Sequence, residues 1–302
     1  MFFLPRLAPR RPSSISIPHV KTITPAADLT ARQCRLGAVL GAALLCASLG
    51  ASARAQGWES TVNPYSPGSF PEPRPLHAKY NFGWNGFTAA TADVRVSKTS
   101  AGQIQFDATG GTSGVARSLW KYDVKHSALS DAHTLRPIEV TEVETLRKKE
   151  VTTKVAYTPE RVSSGRDERR GSAVSSKTRS FDFSNLFSLD SALLYVRSQP
   201  LTDGAVQRIV IYPSTSAYLA TISVRGRERI TVPAGTYDAF KIDLQLSKIG
   251  KKRELLPHKK FHRATIWLSN DPDRLILRIE ADVFVGTVFA ELESMQFDTA
   301  KQ

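Results

Sequence analysis

Few residues in this chain have the type and spacing to do chemistry, and each such group has a structural alternative. His258 and His262 stand four apart, as two metal ligands on one helix face would. They flank Lys259-Lys260 in a run that leads into a strand and holds no carboxylate, so a solvated basic loop is the better reading and no metal site is assigned. Glu139, Glu142 and Glu144 cluster, as do Glu291 and Glu293, and paired carboxylates can do acid–base work. Glutamates at alternate strand positions are expected on the wet face instead. No serine sits in a G-x-S-x-G elbow and no glycine-rich phosphate cradle is present, so no cofactor is implied. Arg197, Trp267, Asp271, Arg274 and Arg278 are candidates for binding. Their structural roles would be a cap at Asp271, a helix C-terminus met by Arg197 and a core filled by Trp267.

The elements that position these residues are mostly strands. Tyr218, Ala220, Ile222 and Val224 share one parity that Ile230 and Val232 continue, and Phe240, Ile242, Leu244 and Leu246 alternate with polar residues. That period of two predicts a hairpin with one buried face, turning at Pro233 and Gly235, where glycine supplies a positive φ to a three-residue loop. Short strands are expected over 93–96, 103–108 and 119–124, a hairpin over 137–157, and further strands over 205–212, 262–269, 275–285 and 287–297. Asp271-Pro272 marks a turn. The polar, basic stretch 163–180 reads as a loop. One helix, about 188–198, is expected, with Ser188 as its cap and Leu189, Ala192, Leu193 and Val196 on one face. The fold class is therefore mainly β: a single antiparallel, strongly curved sheet or incomplete barrel with one amphipathic helix.

Basic residues Arg32 and Arg35, an uncharged core over 36–49 and Ala53-Arg54-Ala55 have the layout of a secretory signal peptide cut after Ala55. An uncleaved anchor over 36–53 is the alternative, and Leu45 before Cys46 argues against lipidation. Both cysteines, Cys34 and Cys46, fall in this 1–55 leader, which leaves the rest without a disulfide framework. Residues 56–77, with Pro64, Pro67, Pro71, Pro73 and Pro75, read as a Pro-rich linker. A single β-rich domain follows over 78–297, with a tail over 298–302. The net charge is +13. Beyond the inner membrane this favours a solubilising surface or anionic envelope components as partners, and no nucleic acid.

The order of motifs resembles domain-of-unknown-function family 3108. It runs from Tyr80…Trp84-Asn-Gly86 and Leu135-Arg-Pro137 through Ser191–Arg197 with Pro200-Leu201 and Gly204. It continues with Val232-Pro-Ala-Gly-Thr-Tyr237, Trp267–Arg274, Arg278-Ile-Glu280 and Val285-Gly286. Ile276 and Ala90 depart from the family's usual proline and glycine. The resemblance implies an exported bacterial envelope protein of the periplasm with no established activity. The fold is also similar in outline to the curved sheet-plus-helix of the LolA/LolB lipoprotein carriers. On this basis the leading expectation is a non-catalytic protein that holds a lipid or other amphiphile between sheet and helix, against Leu189, Leu193, Val196, Arg197, Phe240, Trp267, Arg274 and Arg278. Pro233, Gly235, Asp271 and Pro272 serve as structural turns. An interaction module without a cavity and a glycan-acting enzyme are the alternatives.

Overall fold

The computed structural model describes residues 57–69, 71–258, 261–283 and 286–298. The leader over 1–55, its hydrophobic core over 36–49 and the pair Lys259-Lys260 lie outside the described residues. After a 3-10 turn at Trp58–Thr61, the chain forms β1 (Leu76–Trp84), β2 (Phe87–Lys98), β3 (Gln103–Thr112), α1 (Gly114–Leu119) and β4 (Tyr122–Asp131). Next come β5 (Pro137–Leu146), β6 (Lys149–Tyr157), β7 (Arg161–Arg170), β8 (Ala173–Asp182), β9 (Leu186–Phe187) and α2 (Leu189–Ser198). The remainder is β10 (Val206–Ile211), β11 (Tyr218–Val232), β12 (Gly235–Ile249), β13 (Leu255–Pro257), β14 (Phe261–Ser269), β15 (Ile276–Val283) and β16 (Gly286–Phe297).

The strands form one sheet in the order β8-β7-β6-β5-β4-β3-β2-β1-β16-β15-β14-β12-β11-β10-β9, with β13 beside β12. All described pairs are antiparallel except the two-residue β9–β10 pair. The path has two ends, so the sheet is not a closed barrel. It curls until those ends meet through side chains: the Tyr157 hydroxyl donates to Tyr212 O at 2.6 Å, Arg179 Nη1 donates to Thr215 O at 2.9 Å, and Phe181 stacks on Tyr212. Period-two burial drives the curl. In β4 Tyr122, Val124, His126, Ala128 and Ser130 are buried, and in β15 Leu277, Ile279, Ala281 and Val283 are buried.

The β11–β12 hairpin is as expected, but its loop is tighter. Val232 pairs with Gly235, so only Pro233 and Ala234 connect the strands, and Gly235 at φ +138° opens β12. The tip reaches β16, where Ala234 N donates to Leu292 O at 3.2 Å.

Four expectations are corrected. Residues 163–180 are not a loop but most of the β7–β8 hairpin, turning at Gly171 with φ +58°. β8 is an edge strand with almost every residue exposed, so backbone pairing alone orders it and no apolar alternation marks it. The Pro-rich stretch is not a free linker: Asn63 N donates to Arg208 O, Gly68 N to Ser198 Oγ, and Gln199 Nε2 to Ser66 O, which straps it along β10 and α2. α2 is capped as expected, by a capping box of Ser188 and Ser191. Of its expected buried face, Ala192 and Val196 are buried. Leu189 and Leu193 are only half-buried, whereas Asp190, Leu194 and Arg197 are buried, because polar partners meet Asp190 and Arg197 inside. A second helix, α1, stands where strand was expected to begin.

The turns at 85–86, 147–148 and 171–172 and the α1 connection lie at one end of the sheet, termed the rim. Residues 183–188 run across the other end, the base. There Asn185 N donates to Pro159 O, Phe183 N to Glu160 O, and Arg136 Nη2 to Asn185 Oδ1.

Candidate functional site

Across β3–β7 the register aligns Ala108, His126, Glu142, Thr153 and Arg166 in one row on the face that α2 covers. Cross-strand neighbours on one face interact directly, so this row is a contiguous polar band. His126 is buried, and its Nε2 lies 3.2 and 3.0 Å from the two carboxylate oxygens of Asp190 in the first turn of α2. The helix N-terminus favours that carboxylate as well. Burial alone would lower the His126 pKa, but the Asp190 and Glu142 carboxylates outweigh it and raise it to about 9. Burial pushes Asp190 upward, and the charge of His126 overcomes this and holds the carboxyl below its usual range. The two form an ion pair that pins α2 to β4.

His126 Nδ1 makes no hydrogen bond, and Glu142 Oε2 stands 3.6 Å away, too far for one. The next row toward the rim continues the charge. Glu144 Oε1 accepts from the Tyr122 hydroxyl at 3.1 Å and Glu144 Oε2 lies 3.6 Å from Arg166 Nη1, which also donates to Thr153 Oγ1 at 3.2 Å. Lys149 Nζ and Glu168 Oε2 pair at 2.6 Å. These charges are sheltered rather than sealed: the Glu142 and Glu168 side chains are 32% exposed, Arg166 17% and Glu144 13%. With His126 and Asp190 neutralising one another, two cations face three carboxylates. Glu142 and Glu144 therefore do not sit on the wet face, whereas Glu139 is exposed as expected.

The residues expected to bind divide into two groups. Arg197, Asp271, Pro272 and Arg274 do come together, as a joint between α2 and the β14–β15 turn. Arg197 donates to the carbonyls of Asp273 at 2.9 Å, Pro272 at 3.1 Å and Pro71, while Arg274 donates to those of Arg197 and Gln199. Asp271 Oδ1 accepts from Ser269 Oγ, Asp273 N and Arg274 N. Burial lowers the pKa of Arg197, with help from Arg274, to about 10. Buried carbonyls need such donors, so the joint is structural.

Phe240 and Trp267 are buried at 4% and 7% exposure, so the wedge expected between helix and sheet is filled at both. Trp267 Nε1 donates to Glu228 Oε1 at 2.5 Å, and Phe240 lies under Arg227 and Arg274. Arg278 pairs with Glu280 at 2.6 Å, apart from the joint. Among the described residues no group of three or more acids, histidines or cysteines could hold a metal. The outer face of β2–β5 carries an open cleft of about 390 Å³ lined by Asp93, Asp107, Lys125 and Thr141 among others.

His126, Asp190 and Arg166 were not singled out as site residues from the sequence, and Glu142 and Glu144 were weighed as paired carboxylates and assigned to the wet face. A signal existed in β4: the period-two stripe Tyr122, Val124, His126, Ala128 places a histidine where an apolar residue belongs.

A family model described as "Protein of unknown function (DUF3108)" matches residues 79–293. Among curated proteins none matches the chain. Among solved structures, a β-barrel-like protein of domain of unknown function DUF1849 from Brucella abortus matches at a TM-score of 0.51 and 8% identity, covering 76% of this chain and 100% of that one. A protein from Bacteroides fragilis described as exported with a YmcC-like fold matches at 0.35 and 10% identity, over 76% and 100% of the two chains. One from Parabacteroides distasonis described as a lipoprotein matches at 0.32 and 11%, over 76% and 99%. The first supports the curled-sheet fold and nothing about activity.

Proposed function

The chain belongs to the DUF3108 family of proteins of unknown function, and from that premise we propose that it is an exported, non-catalytic envelope protein that holds the polar head of an amphiphile on the inner face of β4–β7. One observation carries the reading: Glu142, Glu144, Arg166, Lys149 and Glu168 stay partly exposed on the inner face of a curled sheet whose other half is packed with apolar residues. Charges so placed are costly unless water or a ligand meets them. Two cations beside three carboxylates, with the His126 imidazole 3.6 Å from Glu142, suit a zwitterionic or hydroxyl-bearing head. Half-buried Phe82 and Leu146 continue the inner face toward the rim and would take the start of an apolar tail. The signal-peptide layout of the leader supports export.

Mass spectrometry of protein gently extracted from native membranes tests the reading. The wild type should carry a co-purifying amphiphile, and Glu144→Gln combined with Arg166→Gln should lose it. Wild-type protein that is empty in repeated extractions would contradict the proposal.

A further inference from the structure

Five of the eight exposed large apolar side chains among the described residues belong to the rim: Trp84 at 48%, Phe87 at 77%, Val115 at 79%, Leu119 at 72% and Val174 at 60%. Trp84, Phe87, Val115 and Leu119 stand on adjoining connections, with Val174 on the separate β7–β8 hairpin, and exposed apolar groups clustered in this way mark an interaction site. The backbone brings them there. Asn85-Gly86 turns β1 into β2 and sets Trp84 and Phe87 at the hairpin tip. α1 packs beside β2, tied by Ser113 N donating to Ala89 O at 2.9 Å, so Val115 and Leu119 stand next to that tip. The β5–β6 turn is fastened to the same connection, with Arg147 Nη2 donating to Leu119 O at 3.1 Å and Arg147 N to Lys121 O at 3.3 Å.

The charge around these residues is mainly positive, with Glu150 the exposed acid beside the β5–β6 turn. Lys121, Arg147, Lys148 and Arg169 lie on or beside these connections, with Arg117 and Arg170 paired to Asp123 and Glu168. Of the acids nearby, Asp123 is taken up by Arg117 at 2.7 Å and Glu168 by Lys149 at 2.6 Å. Aromatic and aliphatic tips in a basic collar match the two layers of a membrane surface: the apolar groups enter the acyl boundary while the cations meet lipid phosphates. A protein partner would need a more continuous apolar floor than tips on separate turns provide.

We propose that the rim docks on an anionic lipid bilayer, with Phe87, Val115 and Leu119 entering the acyl boundary and Arg147 and Lys148 against the headgroups. The inference does not depend on the amphiphile reading, since it uses none of the inner-face residues.

The test uses the full chain with vesicles whose lipids are brominated along the acyl chain, because quenching of Trp84 reports rim depth whatever else holds the protein at the membrane. A Trp84→Phe variant identifies the Trp84 share of the emission. Quenching should be strong on phosphatidylglycerol vesicles and weak on phosphatidylcholine vesicles. Arg147→Glu with Lys148→Glu should abolish that preference, and Phe87→Ser with Leu119→Ser should abolish quenching on both. Unquenched Trp84 on phosphatidylglycerol would overturn the proposal, as would equal quenching on the two lipids. A change in sedimentation of the Phe87→Ser, Leu119→Ser variant without lipid would reassign the rim to self-association and overturn it equally.

Discussion

Two rows crossing the same sheet show opposite uses of one pleat. In the C-terminal half, Val224, Ile242, Ile266, Ile279 and Ala290 pair in register, all buried. In the N-terminal half the matching row is Ala108, His126, Glu142, Thr153 and Arg166. Backbone geometry is shared, so the difference lies wholly in side-chain chemistry. The apolar row is held by close packing and can lose little volume without loss of stability. The polar row is held by specific partners, chiefly Asp190 reaching in from α2, and retains sheltered charges that packing alone would have excluded. Both rows thus contribute to stability, one through packing and the other through ion pairing, and only the polar row keeps charges that the proposed ligand could meet.

Removing the central partner of the polar row should do the most damage. Asp190→Ala leaves the buried His126 without its counter-ion, which should destabilise the protein by about 4 kcal/mol in urea unfolding at pH 6. Ile242→Ala, the equivalent cut in the apolar row, should cost about 3 kcal/mol through its cavity at any pH. Equal pH dependence in the two variants would erase the distinction between the rows.

The rows also part in their response to pH. His126 titrates near 6.5 when unfolded and at about 9 when folded, so its contribution is fully present below pH 6.5 and is lost as pH rises through 9. That loss is on the order of 3 kcal/mol for a shift of this size. Asp190, held low, adds stability above its unfolded pKa that disappears as the carboxyl protonates in acid. Unfolding free energies of wild type and His126→Gln, compared between pH 6 and pH 9, should show the fall only in the wild type.

A smaller effect belongs to the apolar half alone. Gly235 stands at φ +138°, and a Cβ there would meet the Tyr237 ring at 3.5 Å, ordinary contact. Gly235→Val should therefore cost about 1–2 kcal/mol through backbone conformation rather than clash. An unchanged melting temperature would show that the turn tolerates a side chain.

The apolar half was legible in the sequence because its alternation is apolar against polar. The β11–β12 hairpin and the Asp271 cap follow from local patterns and are found, the hairpin with a two-residue loop, Pro233-Ala234, in place of the expected three. The polar half was harder to read because burial there does not follow hydrophobicity. Serine falls on both faces of β7 and β8 and arginine on both faces of β7, so nothing in their composition distinguished strand from loop. Glu142 and Glu144 looked like a wet face because their partners, His126 and Arg166, lie 16 and 22 residues away in sequence. Asp190 lies in the first turn of the expected helix, but its burial depends on a histidine in β4 that only the fold brings near. Leu189 and Leu193 were assigned to the buried side for the same reason in reverse: helical spacing found a stripe without the polar contacts that rotate the helix inside.

The most direct test replaces the charges of the polar row by apolar residues of similar reach and measures stability and binding together. Glu144→Leu with Arg166→Leu removes a sheltered pair 3.6 Å apart. Substitutions of this kind tend to leave stability unchanged or raise it. If the inner face of β4–β7 holds a polar head, calorimetric titration with dodecylphosphocholine should show affinity at least tenfold weaker in the double variant, about 1.4 kcal/mol, with melting unchanged or higher. Binding that survives this replacement in a fully folded protein would contradict the assignment of the polar row to ligand.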